Sequence, residues 1–223
     1  EDTVQVLALD PGGTTGWSLF EVLPGALSDR PEHRGVGVLN NVIRWRHGQI
    51  DCGTSKGNLG RSLHSGVSTS GENAGIGEIL GLIRSWPLAA IVVEDFIIDP
   101  NRFNTGRDLL SPVRITSGVS YDLWLQGRDY FSQTASLAKS SVKDESLKLW
   151  GFYDRTGGLG HARDADRHAL TFLRRASEIS AKGFALRKTA WPHLFDVGKE
   201  YGPVSSKKAS GNASAKRDKE KAS

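Results

Sequence analysis

Acidic side chains occur at the ends of two predicted strands and near the start of a predicted helix. Asp10 closes the apolar run 4–10, and Glu94 closes the apolar run 89–94. His161 and Asp164 are three residues apart near the start of a predicted long helix, so they share one helix face. Carboxylates gathered at one point repel one another and need a cation, and hard oxygen ligands suit Mg²⁺ or Mn²⁺. A pair of such ions activates water and stabilises the leaving oxygen in phosphodiester cleavage.

Each of these residues also has an ordinary structural interpretation. An acid before Pro-Gly, as at Asp10, initiates turns, and Asp164 near a helix start interacts favourably with the helix dipole. Taken together, two acids at the ends of apolar strands and a third on a shared helix face favour a site. On the same helix, His168 lies on the face of Asp164, whereas Asp166 lies roughly opposite. We therefore expect Asp164→Asn to abolish the chemistry and Asp166→Asn largely to spare it.

The elements that must position these residues alternate between strands and helices. An initial hairpin is predicted, and two parallel strands after it would bring Asp10 and Glu94 to the same sheet edge, where open α/β sheets bind ligands. The order predicts an α/β fold with a mixed sheet. The predicted strands are 4–10, 17–22, one within 36–45 or 45–50, 89–94 and 129–131, and the predicted helices are 72–86, 108–125, 144–150 and 161–180.

The net positive charge of the chain lies in its C-terminal segment. The 223 residues carry 29 Lys and Arg against 25 Asp and Glu, but 203–223 hold six basic and two acidic side chains, which leaves 1–202 neutral. We predict one domain over 1–202 and a disordered basic tail over 203–223, because the tail has almost nothing apolar to bury. No apolar run reaches the ~18 residues of a membrane span. A lone Cys52 excludes an internal disulfide and a multi-cysteine zinc site, and with no secretory signal the expected location is the cytoplasm.

The motifs resemble those of a known family. Leu9–Gly12 followed by Thr15–Trp17 is similar to the first motif of RuvC-like nucleases of the RNase H-like superfamily, in which an Asp-Pro-Gly turn joins two strands. Ile91–Glu94 resembles the strand that carries the family's Glu. His161–Ala165 resembles the final helix motif, whose first position is Asp in some members and His in others. The resemblance spans 4 to about 180 and looks closest to phage-encoded resolvases of four-way (Holliday) junctions.

This resemblance implies a five-stranded mixed sheet flanked by helices and a homodimer that acts on branched DNA in the host cytoplasm. It implies Mg²⁺ or Mn²⁺, two ions per site, bound by Asp10, Glu94, His161 and Asp164 as catalytic residues. Water would attack the phosphate and leave 5′-phosphate and 3′-hydroxyl ends. The turn after Asp10 looks shorter than in bacterial resolvases, and a Gly/Ser-rich loop precedes the first helix.

Several further residues are candidates for contact with DNA. Phe103, in a polar stretch, is the better aromatic wedge for unstacking junction bases, and Phe96 is the alternative, although core packing suits Phe96 as well. Basic side chains that could reach phosphates are Lys139 and Lys143 after the last strand, and Arg163 and Arg167 on the last helix.

Two other functions compete with a nuclease that cleaves four-way junctions, flaps or replication forks. The run Asp10–Gly16 also resembles the phosphate loop of actin-like ATPases and sugar kinases, for which 223 residues is short. A catalytically silent DNA-binding protein of the same fold is the third possibility, and the complete set of acids argues against it.

Overall fold

The computed structural model describes residues 3–27, 35–53, 70–97, 110–155 and 157–195. Phe103, nearly all of the Gly/Ser-rich segment predicted as a loop (54–70) and the predicted tail 203–223 lie outside these ranges. Within them, strands and helices alternate after an initial hairpin, as predicted. The strands are β1 (Val4–Asp10), β2 (Thr14–Val22), β3 (Val42–Asp51), β4 (Ala90–Asp95) and β5 (Tyr130–Thr134). The α-helices are α1 (Ser70–Ser85), α2 (Ser111–Leu125), α3 (Ala135–Ser141), α4 (Asp144–Trp150), α5 (Gly160–Ala176), α6 (Ala181–Ala190) and α7 (Pro192–Phe195).

The five strands form one mixed sheet in the order β3-β2-β1-β4-β5. β1 is antiparallel to β2 and parallel to β4, and β4 is parallel to β5. β1 lies at the centre and is buried on both faces, which explains its nearly continuous apolar sequence. The expectation of a five-stranded mixed α/β sheet flanked by helices is confirmed.

Alternate residues of the central strands build two separate cores. Val6 and Ala8 of β1 belong to the core under α5, whereas Leu7 and Leu9 belong to the core under α1 and α2. Asp10 continues the first alternation and so faces α5. The helix that carries His161 and Asp164 therefore covers the sheet face on which Asp10 ends.

Helix α5 packs closely on the sheet because its inner face consists largely of alanine. Ala162, Ala165 and Ala169 are completely buried, and the larger Leu170 and Leu173 fill the core farther along. The helix ends at Ala176, earlier than the predicted 180, and α6 begins after Ser180, whose hydroxyl accepts a hydrogen bond from the Gly183 amide. Ser180 is thus an N-cap and not a continuation of α5.

Three α-helices of the described residues were not predicted. Helix α3 follows β5 directly, and the Thr134 hydroxyl caps it by accepting from the Leu137 amide. Helices α6 and α7 lie beyond 180, where the predicted last helix ended. Among the described residues, no helix combines the length and the apolar character needed to cross a membrane.

Candidate active site

Two carboxylates lie side by side at the end of the two central parallel strands. Leu9 of β1 is in register with Val93 of β4, so the next residues, Asp10 and Glu94, are also level. Neighbouring strands are about 4.8 Å apart, and residues at the same level project from the same face. Asp10 and Glu94 therefore lie at the same edge of the sheet, and both face α5. Their positions at the ends of two parallel strands predicted this shared edge.

His161 is the hydrogen-bonding partner of Asp10. Its Nδ1 lies 2.8 Å from Asp10 Oδ2. Burial raises the pKa of Asp10, the hydrogen bond from His161 opposes that rise, and the neighbouring charges of Glu94 and Asp164 add to it. The hydrogen bond with Asp10 in turn raises the pKa of His161. Glu94 and Asp164 are thus near enough to influence the protonation of both Asp10 and His161.

The start of α5 lies directly against β2, and this close approach is possible because Gly16 has no side chain. A Cβ atom at this position would lie 2.0 Å from the His161 carbonyl oxygen. Gln49 of β3, in register with Gly16, fixes the same segment from the other side. Its Oε1 accepts from the His161 amide at 3.1 Å, and its Nε2 donates to the Gly158 carbonyl at 3.0 Å. Gly16 and Gln49 together position His161 beside Asp10.

Asp164 is engaged by two cations. Lys139 of α3 places its Nζ 3.2 Å from Asp164 Oδ2. Arg167, one helical turn farther along α5, forms ion pairs with both Asp164 and Asp144. The Arg167 side chain is only 13% exposed, so in this structure its guanidinium is turned towards carboxylates of its own chain.

Glu94 is held from behind by a buried histidine. His168 Nε2 lies 2.8 Å from Glu94 Oε2, and Nδ1 lies 3.3 Å from Oε1 of Gln133. Glu94 and Gln133 are register partners on β4 and β5. His168 is 1% exposed and cannot reach a ligand, so it acts on the site through Glu94.

Asp166 faces a different part of the sheet. It is completely buried and accepts from the Ser18 hydroxyl at 2.6 Å and the Trp45 indole at 2.8 Å. His47 places Nδ1 2.8 Å from Asp166 and Nε2 3.2 Å from Asp154. The hydrogen bond to Asp166 raises the pKa of His47. Asp166 therefore joins α5 to β2 and β3 and lies outside the group around Asp10, as the helical repeat predicted.

The remaining candidates for DNA contact are scattered. Lys143 is exposed between α3 and α4, and the Arg163 guanidinium lies 5.3 Å from the centre of the Tyr153 ring. Phe96 follows β4 and is half-buried. Phe103 lies outside the described residues, so its role as a wedge stays a prediction.

The donor set suits a hard divalent cation in chemistry. Three carboxylates and one imidazole approach the same end of the sheet, and burial together with like charges opposes ionisation of Asp10. In the described part of the chain, no three His, Cys, Asp or Glu side chains are arranged around one metal position. Instead, Asp10, Glu94 and Asp164 are each satisfied by a cation or imidazole of the protein.

Sequence reasoning missed the residues that position the acids. Gly16 lies inside the first motif, but its role depends on where α5 crosses β2. Gln49 and His47 lie on the polar edge strand β3, whose boundaries the sequence left open. His168 was placed on the face of Asp164, and the helical repeat was the one signal that could have joined it to the site.

Comparison with known proteins gives similarity at the level of structure alone. No family model matches the sequence, and no curated protein matches it. Two solved structures of RuvC are similar: T. thermophilus RuvC in complex with Holliday junction substrate, with a TM-score of 0.49, and Thermus thermophilus RuvC, with a TM-score of 0.46. Each is 17% identical and covers 78% of this chain and 95% of the other.

Proposed function

We propose that this chain is a metal-dependent endonuclease that cleaves branched DNA, with the four-way junction as its first substrate. The observation that carries the proposal is the meeting of Asp10, Glu94 and Asp164 with His161 at one sheet edge. Carboxylates gathered in this way can bind a divalent cation, and such a cation promotes the hydrolysis of a phosphodiester.

Asp10, Glu94, His161 and Asp164 are the residues that would hold Mg²⁺ or Mn²⁺, two ions per site. The bound metal would supply an activated water and neutralise the charge that develops on phosphate oxygens. Basic and imidazole side chains of the chain now pair with these carboxylates, and a divalent cation would take over that role. Hydrolysis would leave 5′-phosphate and 3′-hydroxyl ends.

The protein's contribution is to fix the position and charge of its ligands. Gly16 and Gln49 hold His161 beside Asp10, and His168 holds Glu94. Lys139 is half-exposed while paired with Asp164, so its ammonium can turn to a phosphate at the same edge. Lys143 and Arg163 are the further phosphate contacts we propose, with Phe96 and Phe103 as wedge candidates and Arg167 as a brace for Asp164.

A homodimer would present two such sites to the two strands of a junction. Helix α2 offers a surface for self-association, since apolar side chains are exposed at helical spacing along it. Tyr121 and Trp124 stack at 6.1 Å between ring centres and are 63% and 71% exposed. Val113 and Leu125 extend the same exposed surface. We propose α2 as the dimer contact, to be tested by the molar mass in solution of Trp124→Glu.

The phosphate-loop alternative fits the turn after Asp10 less well. The Thr15 hydroxyl accepts from the Gly12 amide at 3.2 Å and donates to the Gly12 carbonyl at 3.0 Å. Pro11 has no amide hydrogen, so the turn offers few free donors to a nucleotide phosphate. Mg²⁺-dependent ATP hydrolysis without DNA cleavage would favour this alternative.

A cleavage panel tests the proposed function. Four-way junctions, 5′ and 3′ flaps, replication forks and linear duplex are each incubated with the full chain and Mg²⁺ or Mn²⁺. Symmetric nicks in the junction are expected, because a dimer places one site on each of two strands. Preference for a flap would revise the substrate, and absence of metal-dependent cleavage of every branched DNA would overturn the proposal.

A further inference from the structure

A polar cleft opens at the C-terminal end of α5, away from the candidate active site, where α3, α5 and the start of α6 meet. Its volume is about 760 Å³. Its walls carry two arginines and several hydroxyl groups, and among the described residues Glu178 is the one acid that lines it. The residues on which the argument rests are Ser141, Thr171, Arg174, Arg175 and Ser180. The cleft shares no residue with the group around Asp10.

Arg174 is fixed in this cleft with part of its hydrogen-bonding capacity unused. Its Nη1 donates to the Ser141 carbonyl at 2.8 Å, and its guanidinium carbon lies 5.7 Å from the centre of the Trp150 ring. Its Nε is buried and has no hydrogen-bond partner in the described ranges. A guanidinium held in place at one end presents its remaining N–H groups as a preorganised fork for two oxygens of an anion.

Two other features of the cleft point to the same kind of ligand. Thr171 lines it, is 1% exposed, and its hydroxyl finds no partner among the described residues. Helix α6 begins there, and the Ser180 hydroxyl accepts a hydrogen bond from the Gly183 amide. The backbone amides between Ser180 and Gly183 have no acceptor inside the helix, as in the first turn of any α-helix. A helix N-terminus carries partial positive charge and favours an anion.

The modest charge of the cleft decides which anion it suits. Arg174 and Arg175 are offset in part by Glu178, so a free phosphate ion would bind less tightly than a phosphate of a polymer. A phosphate that belongs to a polyanion is held by its neighbours as well, and counterion release adds to the affinity. This favours a backbone phosphate of nucleic acid over a free ion or a nucleotide.

We infer that the cleft between α3, α5 and α6 binds a backbone phosphate of a DNA arm, away from the candidate active site. Arg174 follows Asp164 by ten residues on one helix, which is about 15 Å at 1.5 Å per residue. That distance spans about four phosphates of one strand. The inference rests on the proposed function for the identity of the polymer, whereas the anion site itself stands on the cleft alone.

Titration of the full chain with inorganic phosphate tests the anion site without DNA. The NMR signal of the Arg174 Nε–H group should shift on addition of phosphate. This signal is assigned by its loss in Arg174→Lys. Thr171→Val should weaken that shift and leave the thermal midpoint unchanged or higher, because it removes an unpartnered hydroxyl. An Arg174 signal that does not respond to phosphate would overturn the anion site.

Binding of a four-way junction in EDTA tests the DNA arm. Arg174→Gln should lower affinity at low salt by about tenfold and reduce the slope of log K against log salt by about one. Arg46→Gln is the matched control, since it removes an exposed arginine on β3 and should do neither. Arg174→Lys should restore the slope but not the full affinity, which separates the lost fork from a folding defect.

The two proposals fail differently. Phosphate and salt-slope effects without metal-dependent cleavage would overturn the nuclease proposal and leave the cleft in place. Equal loss of DNA affinity in Arg174→Gln and Arg46→Gln, or a phosphate response without any change in DNA binding, would overturn the cleft as a backbone site.

Discussion

Gly16 and His161 are so close that no other residue fits at the glycine position. A Cβ at Gly16 would meet the carbonyl oxygen of His161 at 2.0 Å and the Ala162 nitrogen at 2.7 Å. The first motif of the sequence thus does more than turn the chain after Asp10. It admits the start of α5 to the sheet and so determines that the His161 ring reaches Asp10.

We expect Gly16→Ala to destabilise the protein and to reduce cleavage beyond the loss of folded material. The added methyl group meets backbone, which cannot rotate away, and overpacking of this kind costs about 1–3 kcal/mol or more. Chemical denaturation and cleavage rate per folded molecule measure the two effects. Gly13→Ala is the control, because a Cβ at Gly13 meets nothing within 4 Å. Equal behaviour of the two variants would contradict the close approach.

Asp164 and Asp166 should separate activity from stability. Asp164→Asn should abolish cleavage and leave the fold largely intact. Asp166→Asn weakens a buried ion pair with His47, and breaking such pairs typically costs about 3–5 kcal/mol. The molecules of Asp166→Asn that still fold should cleave nearly normally. Comparable loss of cleavage per folded molecule in both variants would refute the assignment of the two helix faces.

His168 should govern cleavage through Glu94. In His168→Phe the ring volume is kept, but Glu94 loses the imidazole that holds it. Outer partners of metal ligands typically contribute 10–100-fold to metal affinity or activity, so we expect the Mg²⁺ concentration for half-maximal cleavage to rise by about that factor. His168→Gln, which keeps a donor, should recover part of the loss. An unchanged Mg²⁺ requirement in both variants would exclude a positioning role.

His47 should make stability depend on pH. Because its pKa is raised above the ordinary value of 6.5 by Asp166, the protonated form is favoured in the folded state. Its contribution to the free energy of unfolding is therefore fully present below about pH 6.5 and is lost as pH rises through the folded-state pKa. The difference between the native chain and His47→Gln should shrink over that range. A constant difference between the native chain and His47→Gln across this range would rule out the linkage.

The sequence predicts the candidate site residues better than the residues that hold them in position. Asp10 and Glu94 could be placed because each ends an apolar strand, and strand ends of a parallel pair meet. His161 and Asp164 could be joined because the helical repeat is fixed. The partners of Asp166 could not be predicted, since they lie on β2 and β3, and β3 is an edge strand whose mixed polarity leaves its start and register open. Helix α3 was missed because Leu137 is its single large apolar residue, which leaves no apolar repeat along it.

Metal-dependent cleavage of a four-way junction by the native chain, Asp10→Asn and Asp129→Asn tests the central claim most directly. Asp129 is exposed just before β5, at the sheet edge opposite Asp10, so its variant controls for the loss of one carboxylate. We expect Mg²⁺-dependent nicking by the native chain and by Asp129→Asn. We expect none by Asp10→Asn, which should still bind the junction. Undiminished cleavage by folded Asp10→Asn would contradict the account.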